Sequence, residues 1–245
     1  MARQPRQLSD SGYLHLIIRG IGKQILFETQ EDYLFFLSIL KRFSQETSVS
    51  VLAYCLMENH VHLLVRDDNR NVPLLMKKIG VSYSAFFNKK YERSGHLFQD
   101  RYRSEAIEDD GYLLCVFRYI LNNPQKAGLG PASAYAWSSW SQYGDENAFA
   151  DTRLLRELIG DDAQYEAFLT AENDDDCLEY EPPRHDDEWA KEVLRKQLGA
   201  ESGTVLQRYA RADRDAALKE LKQKGLTVRQ LERLTGLNRD VIQKA

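Results

Sequence analysis

The sequence predicts an α+β fold with a β-α-β-β-α-β order, an extra helix after it, and a small all-helical domain at the C-terminal end. Short runs rich in apolar and β-branched residues predict the strands, while longer segments with apolar residues three and four positions apart predict the helices. Gly, Asn or Pro stands at several junctions between them. The chain has 245 residues, 43% hydrophobic and 29% charged, which suits one large domain or two ordinary ones.

The first strand and the first helix lie near the N-terminal end. Residues Tyr13–Gly20 are rich in β-forming residues and alternate loosely, so they predict a strand. The segment from Thr29 to about Phe43 has apolar residues at helical spacing. Thr29 is a suitable N-cap and Asp32 follows it by three residues, so we expect this helix to begin there and to pack on the sheet.

A hairpin, a second helix and a fourth strand follow. Val49–Leu56 and His60–Val65 are β-type runs separated by Met57-Glu58-Asn59, where Asn favours a tight turn, so they predict an antiparallel hairpin. The segment from Pro73 to about Lys90 predicts a helix by the spacing of its apolar residues. Arg101–Ile107 can form one more short strand.

The segment Asp109–Asn122 has a helical pattern that we expect to end before Pro124, since the residue preceding a proline avoids the α conformation. The complete order is therefore that of a ferredoxin-like fold with an extra C-terminal helix. Many functions occur on this fold, so the function has to be inferred from its chemically active residues.

The charge is distributed unevenly along the chain. The net charge of −4, taken whole, argues against a nucleic-acid partner. Residues 1–144 carry 17 basic and 14 acidic side chains, residues 145–188 carry 3 and 16, and residues 189–245 carry 13 and 7. We therefore predict a first domain over residues 1–144, an acidic, solvated linker over residues 145–188 and a basic helical domain over residues 189–245.

The sequence contains neither a membrane span nor a secretory signal. No apolar run approaches the necessary length, and the N-terminal residues lack an apolar core, which predicts a cytoplasmic protein with no membrane partner. Cys55, Cys115 and Cys177 lie far apart without a CxxC pair. Neither a disulfide framework nor a zinc ribbon is indicated.

The sharpest local signal for chemistry is His60-Val61-His62 in the third predicted strand. Side chains two residues apart on a strand point to the same face, so the two imidazoles can converge on one metal ion. Two half-exposed histidines without a metal would give the same pattern. A second group of residues is therefore needed to decide between these possibilities.

Tyr119 and Asn123 supply such a second group. Residues four apart on a helix lie on one face, so a phenol would stand beside an amide oxygen. This pair offers a nucleophile next to a third metal ligand. A tyrosine that packs the helix and an asparagine that caps it are the alternative explanation.

Residues 66–106 combine positive charge with aromatic rings. They hold nine basic side chains against five acidic ones. Cations for phosphates and rings for unstacked bases are what single-stranded DNA requires, although a solvated helix face over an aromatic core is the alternative. The side chains that we expect to contact DNA are Lys89, Lys90, Arg93, Arg101 and Arg103.

The segment Leu226–Ile242 has a helix-turn-helix pattern. Leu231 and Leu234 would face inward on a short helix, Gly236 would form the turn, and a second helix would follow. The side chains that would face the major groove of duplex DNA are Arg239, Gln243 and Lys244. A helical bundle used for dimerisation is the alternative, and the positive charge of this segment favours DNA.

Three motifs in succession resemble a known family. These are MENHVHLLV, YSAFFNKKYERSGHLFQDRYRSEAI and RYILNNPQKAGLG, and in this order and spacing they resemble the single-tyrosine HUH transposases, specifically the REP-associated tyrosine transposases, over about residues 13–144. The resemblance implies that His60 and His62 are the metal-binding HUH histidines. It also implies that Tyr119 is the nucleophile on a catalytic helix and that Asn123 is the polar residue that completes the metal site.

The expected activity is that of a metal-dependent single-strand DNA endonuclease and strand transferase that uses Mg²⁺ or Mn²⁺. The resemblance implies hairpin-bearing DNA as the substrate, cleaved through a 5′-phosphotyrosine, and duplex DNA is a further expected partner of the C-terminal domain. One alternative is a non-catalytic regulator that binds hairpin or palindromic DNA. Another is a zinc-dependent hydrolase using His60 and His62, for which Glu58 is the only nearby further group. The sequence favours neither a monomer nor a homodimer.

Overall fold

The computed structural model describes residues 9–172, 175, 177, 187–200 and 202–244. The chain divides into two compact units, residues 1–180 and residues 181–245. In the first unit, four antiparallel strands form one sheet in the order β2-β3-β1-β4. The strands are β1 (Tyr13–Arg19), β2 (Ser50–Met57), β3 (His60–Arg66) and β4 (Arg103–Ile107). This order confirms the predicted ferredoxin-like fold.

The sheet is covered by helices on both faces. Helices α1 (Gln30–Thr47) and α2 (Val72–Lys90) lie on one face and share a core with the residues of alternate strand positions, such as Leu63. Helix α3 (Asp110–Lys126) lies on the other face and packs against β2 and β3. Because side chains alternate along each strand, every second residue of β3 is directed towards α3.

The start of α1 is fixed by a group of polar contacts around a fully buried carboxylate. Thr29 and Asp32 form the predicted capping box. Asp32 also accepts hydrogen bonds from the Tyr91 hydroxyl and from Lys90 Nζ, each at 2.7 Å. The buried Asp32 thereby joins the start of α1 to the end of α2.

Helix α3 extends further than predicted. The sequence predicts an end before Pro124, but the helix continues through this residue to Lys126. The bias of a residue before proline towards extended backbone is overridden here, because Pro124 is buried and the Ala127 amide still donates to the Asn123 carbonyl at 2.9 Å. The last turn of α3 therefore holds Asn123 in helical conformation.

The prediction that the linker begins at residue 145 is also wrong. Helices α4 (Arg153–Ile159) and α5 (Asp162–Thr170) belong to the first unit, and their residues Leu155, Tyr165 and Leu169 are buried in the core beneath α3. The linker was predicted from the count of charged residues. That count did not reveal these buried apolar residues, since both helices also expose acidic side chains. The later part of the predicted linker lies largely outside the described residues.

The second unit is helical, as its sequence pattern predicts. Its core contains leucines from α6, α7 and α8 together with Ile242. The Thr227 side chain caps α8, and Gly236 ends it in the left-handed conformation with φ 69°. The helices are α6 (Asp187–Leu198), α7 (Arg211–Gln223), α8 (Val228–Thr235) and α9 (Arg239–Lys244). None of the helices within the described residues has the length and apolar character needed to cross a bilayer.

Candidate active site

The two histidines of the third strand face α3. Val61, between them, is buried in the core on the α1–α2 side, so His60 and His62 point to the opposite face. Their ring centroids lie 4.9 Å apart at an interplanar angle of 79°. The strand therefore brings both imidazoles to one place, as expected from their spacing.

Helix α3 places Tyr119 over these histidines. The Tyr119 ring centroid lies 5.7 Å from that of His62, and the tyrosine is only 5% exposed. Tyr119 occupies this position because its neighbours Phe117, Ile120 and Leu121 bury the helix against the sheet and α5. The nucleophile suggested by the sequence thus lies beside the suggested metal ligands.

Asn123 stands one turn further along α3. Its side-chain Nδ2 donates to the Tyr119 carbonyl at 3.0 Å, so Oδ1 is the acceptor atom of this amide. Lys126 adds a positive charge at this end, because its Nζ lies 4.9 Å from the centroid of the Tyr119 ring. The sequence reasoning missed Lys126, although its spacing of seven residues from Tyr119 places both on one helix face.

Hydrogen bonds orient both imidazoles. His60 Nδ1 lies 2.7 Å from Asn59 Oδ1, and His62 Nδ1 lies 3.0 Å from Nε2 of His15 on β1. Because an amide oxygen only accepts, His60 donates through Nδ1 and keeps its lone pair on Nε2. On both imidazoles, Nδ1 is the nitrogen that meets a neighbouring side chain.

Burial keeps these imidazoles neutral. Burial, together with the positive charge of Arg19, its partner across β1 and β3, lowers the pKa of His60 to about 4. Burial also lowers the pKa of His62 well below its usual value, with additional effects from His60 and His15. A neutral imidazole is the form that binds a metal ion, so the site is ready for one at neutral pH.

The donor atoms suit a divalent ion that prefers nitrogen and oxygen ligands. Two neutral imidazoles and the Asn123 amide oxygen are such donors. Among the described residues, no three His, Cys, Asp or Glu side chains form a metal-binding group. The zinc-hydrolase alternative requires such a third side chain, so the arrangement gives it no support.

The basic residues predicted to contact single-stranded DNA fall into two groups. Lys89, Arg101 and Arg103 are exposed, and Arg103 follows His62 and Ile17 in one row across the sheet. Lys90 and Arg93 are only partly exposed.

The two partly exposed side chains contact other residues of the protein. Lys90 Nζ lies 2.7 Å from Asp32 Oδ1 and 2.9 Å from Glu31 Oε2, and the Arg93 guanidinium lies 5.6 Å from the centroid of the Phe87 ring. The structure thus gives Lys90 a role in joining α1 and α2, which a pattern of local charge does not reveal.

The predicted duplex-contacting residues lie together on the last helix. Arg239, Gln243 and Lys244 are all exposed on α9, while Ile242 is buried in the core of the second unit. Helix α8, the turn at Gly236 and α9 follow one another as the sequence pattern predicts. This helix pair therefore exposes the three polar side chains on α9.

Comparison with known proteins identifies a matching family and similar solved structures, among them the two described here. Residues 9–123 match the model of the family described as IS200-like transposases. A solved REP-associated tyrosine transposase bound to a REP hairpin is 14% identical, with a TM-score of 0.51, over 58% of this chain and 84% of that one, which shows a shared fold. A candidate transposase from Deinococcus radiodurans R1 is 19% identical over 49% of this chain and 97% of that one, with a TM-score of 0.35. No curated protein matches this chain.

Proposed function

Because residues 9–123 match the model of the IS200-like transposase family, we propose that this chain is a metal-dependent endonuclease and strand transferase acting on single-stranded, hairpin-bearing DNA. The observation that carries the proposal is the position of Tyr119. Its ring centroid lies 5.7 Å from that of His62, and the ring centroids of His62 and His60 lie 4.9 Å apart. The proposed nucleophile and two neutral imidazoles thus lie together between β3 and α3.

His60, His62 and Asn123 are the residues that would hold the ion. The two Nε2 atoms and the Asn123 Oδ1 atom provide nitrogen and oxygen donors suited to Mg²⁺ or Mn²⁺, with imidazoles favouring Mn²⁺ of the two. When bound, the ion would polarise the scissile phosphate and stabilise the charge of the transition state. The chain itself supplies orientation, because α3 is buried against the sheet and holds Tyr119 in place.

Tyr119 performs the covalent step. Its phenolic oxygen attacks the phosphorus and loses its proton, the bond from phosphorus to the 3′ oxygen breaks, and that oxygen takes up a proton. The products are a 5′-phosphotyrosine and a free 3′-hydroxyl. Attack by another 3′-hydroxyl reverses these changes and joins strands, so the covalent intermediate conserves the bond energy and no ATP is required. Lys126, beside the ring, brings a positive charge to the region that receives the phosphate.

The hairpin is the proposed substrate because the solved transposase of the same fold is bound to a REP hairpin. On this chain, the exposed Lys89, Arg101 and Arg103 are the side chains proposed to contact the DNA backbone, together with the partly exposed Arg93. The α8–α9 pair is proposed to bind duplex DNA through Arg239, Gln243 and Lys244. Its exposed polar face and the positive charge of the segment support this second contact.

The experiment is covalent trapping with an end-labelled hairpin oligonucleotide that carries a single-stranded flank. Wild-type protein with Mn²⁺ should give a denaturant-resistant protein–DNA adduct, and Tyr119→Phe should abolish it. Tyr112→Phe is the matched control: this residue lies on the same helix, but its hydroxyl donates to Glu105 at 2.6 Å, and its variant should still form the adduct. An adduct that persists in Tyr119→Phe would exclude this nucleophile.

The alternative of a non-catalytic regulator gives a different result in the same assay. A regulator would bind the hairpin with equal affinity with or without Mn²⁺ and would form no adduct. Isothermal titration of the protein with Mn²⁺ alone separates the two functions further, since a binder without a metal site releases no heat of ion binding.

A further inference from the structure

His15 lies at the centre of the sheet beneath the candidate active site. It belongs to β1, its side chain is fully buried, and its ring stacks on that of His62 with centroids 5.3 Å apart and planes 24° from parallel. On either side of it, Leu14 and Leu16 face the other core, so the alternation of β1 directs this imidazole towards α3. Its place in the sequence, within a strand and far from the other motifs, predicts only a structural role.

This buried imidazole is only half satisfied. Its Nε2 atom lies 3.0 Å from His62 Nδ1, whereas its Nδ1 atom is buried without a hydrogen-bond partner among the described residues. Leaving a buried polar atom unpaired destabilises the fold, and a leucine would fill the same place without this penalty. The position therefore has a feature that packing alone does not explain.

The contact between the two imidazoles decides which nitrogen of His62 can bind an ion. If His62 Nδ1 carries the proton and donates to His15 Nε2, the lone pair of His62 lies on Nε2 and is available to a metal. If the proton lies on His15 Nε2, a neutral His62 is protonated on Nε2 and cannot bind one. His60 is fixed in the first way, because Asn59 Oδ1 accepts from its Nδ1 at 2.7 Å.

We propose that His15 is a positioning residue that accepts the Nδ1–H of His62 and thereby holds the Nε2 lone pair of His62 towards the metal ion. The inference rests on the metal site of the proposed function. Metal-binding histidines commonly donate their second nitrogen to an acceptor, which fixes the tautomer and the ring plane. Here the usual carboxylate or carbonyl is replaced by a second imidazole on the neighbouring strand.

Two variants of similar size test this role. His15→Gln places an amide oxygen at the distance of Nε2 and can still accept the hydrogen bond, whereas His15→Leu fills the space without an acceptor. We expect His15→Leu to lose about 10–100-fold in Mn²⁺ affinity, measured by electron paramagnetic resonance of the free ion, and His15→Gln to recover most of it. A role in packing alone would not make the glutamine superior to the leucine.

A measurement on the wild-type protein makes the test independent of the folding of either variant. Long-range ¹H–¹⁵N correlation spectra of the Mg²⁺-loaded protein report which nitrogen of each imidazole carries the proton. The expected result is His62 protonated on Nδ1, with His15 Nε2 as the unprotonated acceptor. A loaded protein with His62 protonated on Nε2 would overturn the inference.

The outcomes separate this inference from the proposed function. If wild type binds Mn²⁺ and folded His15→Leu binds it equally well, the role of His15 is wrong while the metal site stands. If wild type binds no Mn²⁺ at all, both the metal site and the role of His15 are overturned. Circular dichroism of each variant establishes that it is folded before its affinity is measured.

Discussion

Metal binding by this site should be almost independent of pH where ordinary histidine sites lose their ion. An imidazole with the usual pKa of about 6.5 is roughly 90% protonated at pH 5.5, so a site that needs two neutral imidazoles would bind about 100-fold more weakly than at pH 7.5. With a pKa of about 4, His60 remains about 97% neutral at pH 5.5. Burial keeps His62 neutral as well.

The measurement is Mn²⁺ affinity by calorimetry at pH 7.5, 6.5 and 5.5 at constant ionic strength. We expect the affinity to change by less than about two-fold, because neither imidazole gains a proton in this range. A 100-fold loss by pH 5.5 would refute the reasoning, since it would mean that α3 does not shield the histidines from water. A loss that begins only below pH 5 would agree with it.

Acid is also expected to destabilise the folded chain, so folding has to be monitored over the same pH range. The unfolded chain binds protons to these histidines near pH 6.5, while the folded chain does not, so the free energy of unfolding falls as the pH drops below 6.5. At pH 5.5 this amounts to about 1.4 kcal/mol for His60, whose pKa is about 4, and buried His15, whose pKa burial lowers to about 3, adds a similar amount. Circular dichroism at each pH therefore has to accompany the titration.

The remaining predictions concern the basic side chains. Lys89→Ala should weaken single-strand binding few-fold and lower the slope of its salt dependence by about 0.7, measured by fluorescence anisotropy at several salt concentrations. Lys90→Ala should instead lower the thermal midpoint by several degrees and leave DNA affinity nearly unchanged, because Lys90 pairs with the buried Asp32; a DNA effect equal to that of Lys89→Ala would contradict this. Arg239→Ala should weaken duplex binding, with a salt slope smaller by about 0.9, while leaving the Tyr119 adduct intact; an equal decrease in both would place α9 in the catalytic step.

The parts of the fold that depend on local spacing were predictable. Alternation of side chains in β3 placed His60 and His62 on one face because this geometry is a property of any strand. The spacing of four residues likewise placed Tyr119 and Asn123 on one face of α3. The start of α1 followed from Thr29, whose side chain and that of the acidic residue three positions later satisfy the free amides of a helix end.

The features that the sequence did not predict depend on tertiary burial. Nothing near Lys90 in the sequence reveals that Asp32, 58 residues earlier, lies 2.7 Å from its Nζ. The passage of α3 through Pro124 depends on burial rather than on backbone preference. Similarly, His15 becomes a partner of His62 only because β1 pairs with β3 in one particular register. The order of elements along the chain does not specify this register.

The same burial accounts for the electrostatics and the reactivity of the candidate site. Packing of α3 on the sheet removes His15 and His62 from water, which keeps them uncharged, and it places the Tyr119 ring beside both of theirs. The positive charges of Lys126 and Arg103 are exposed, and these two side chains are here called the charged rim. The neutral interior is suited to a metal ion and the charged rim to the phosphates of DNA, so the net charge of −4 for the whole chain says little about the surface that DNA would meet.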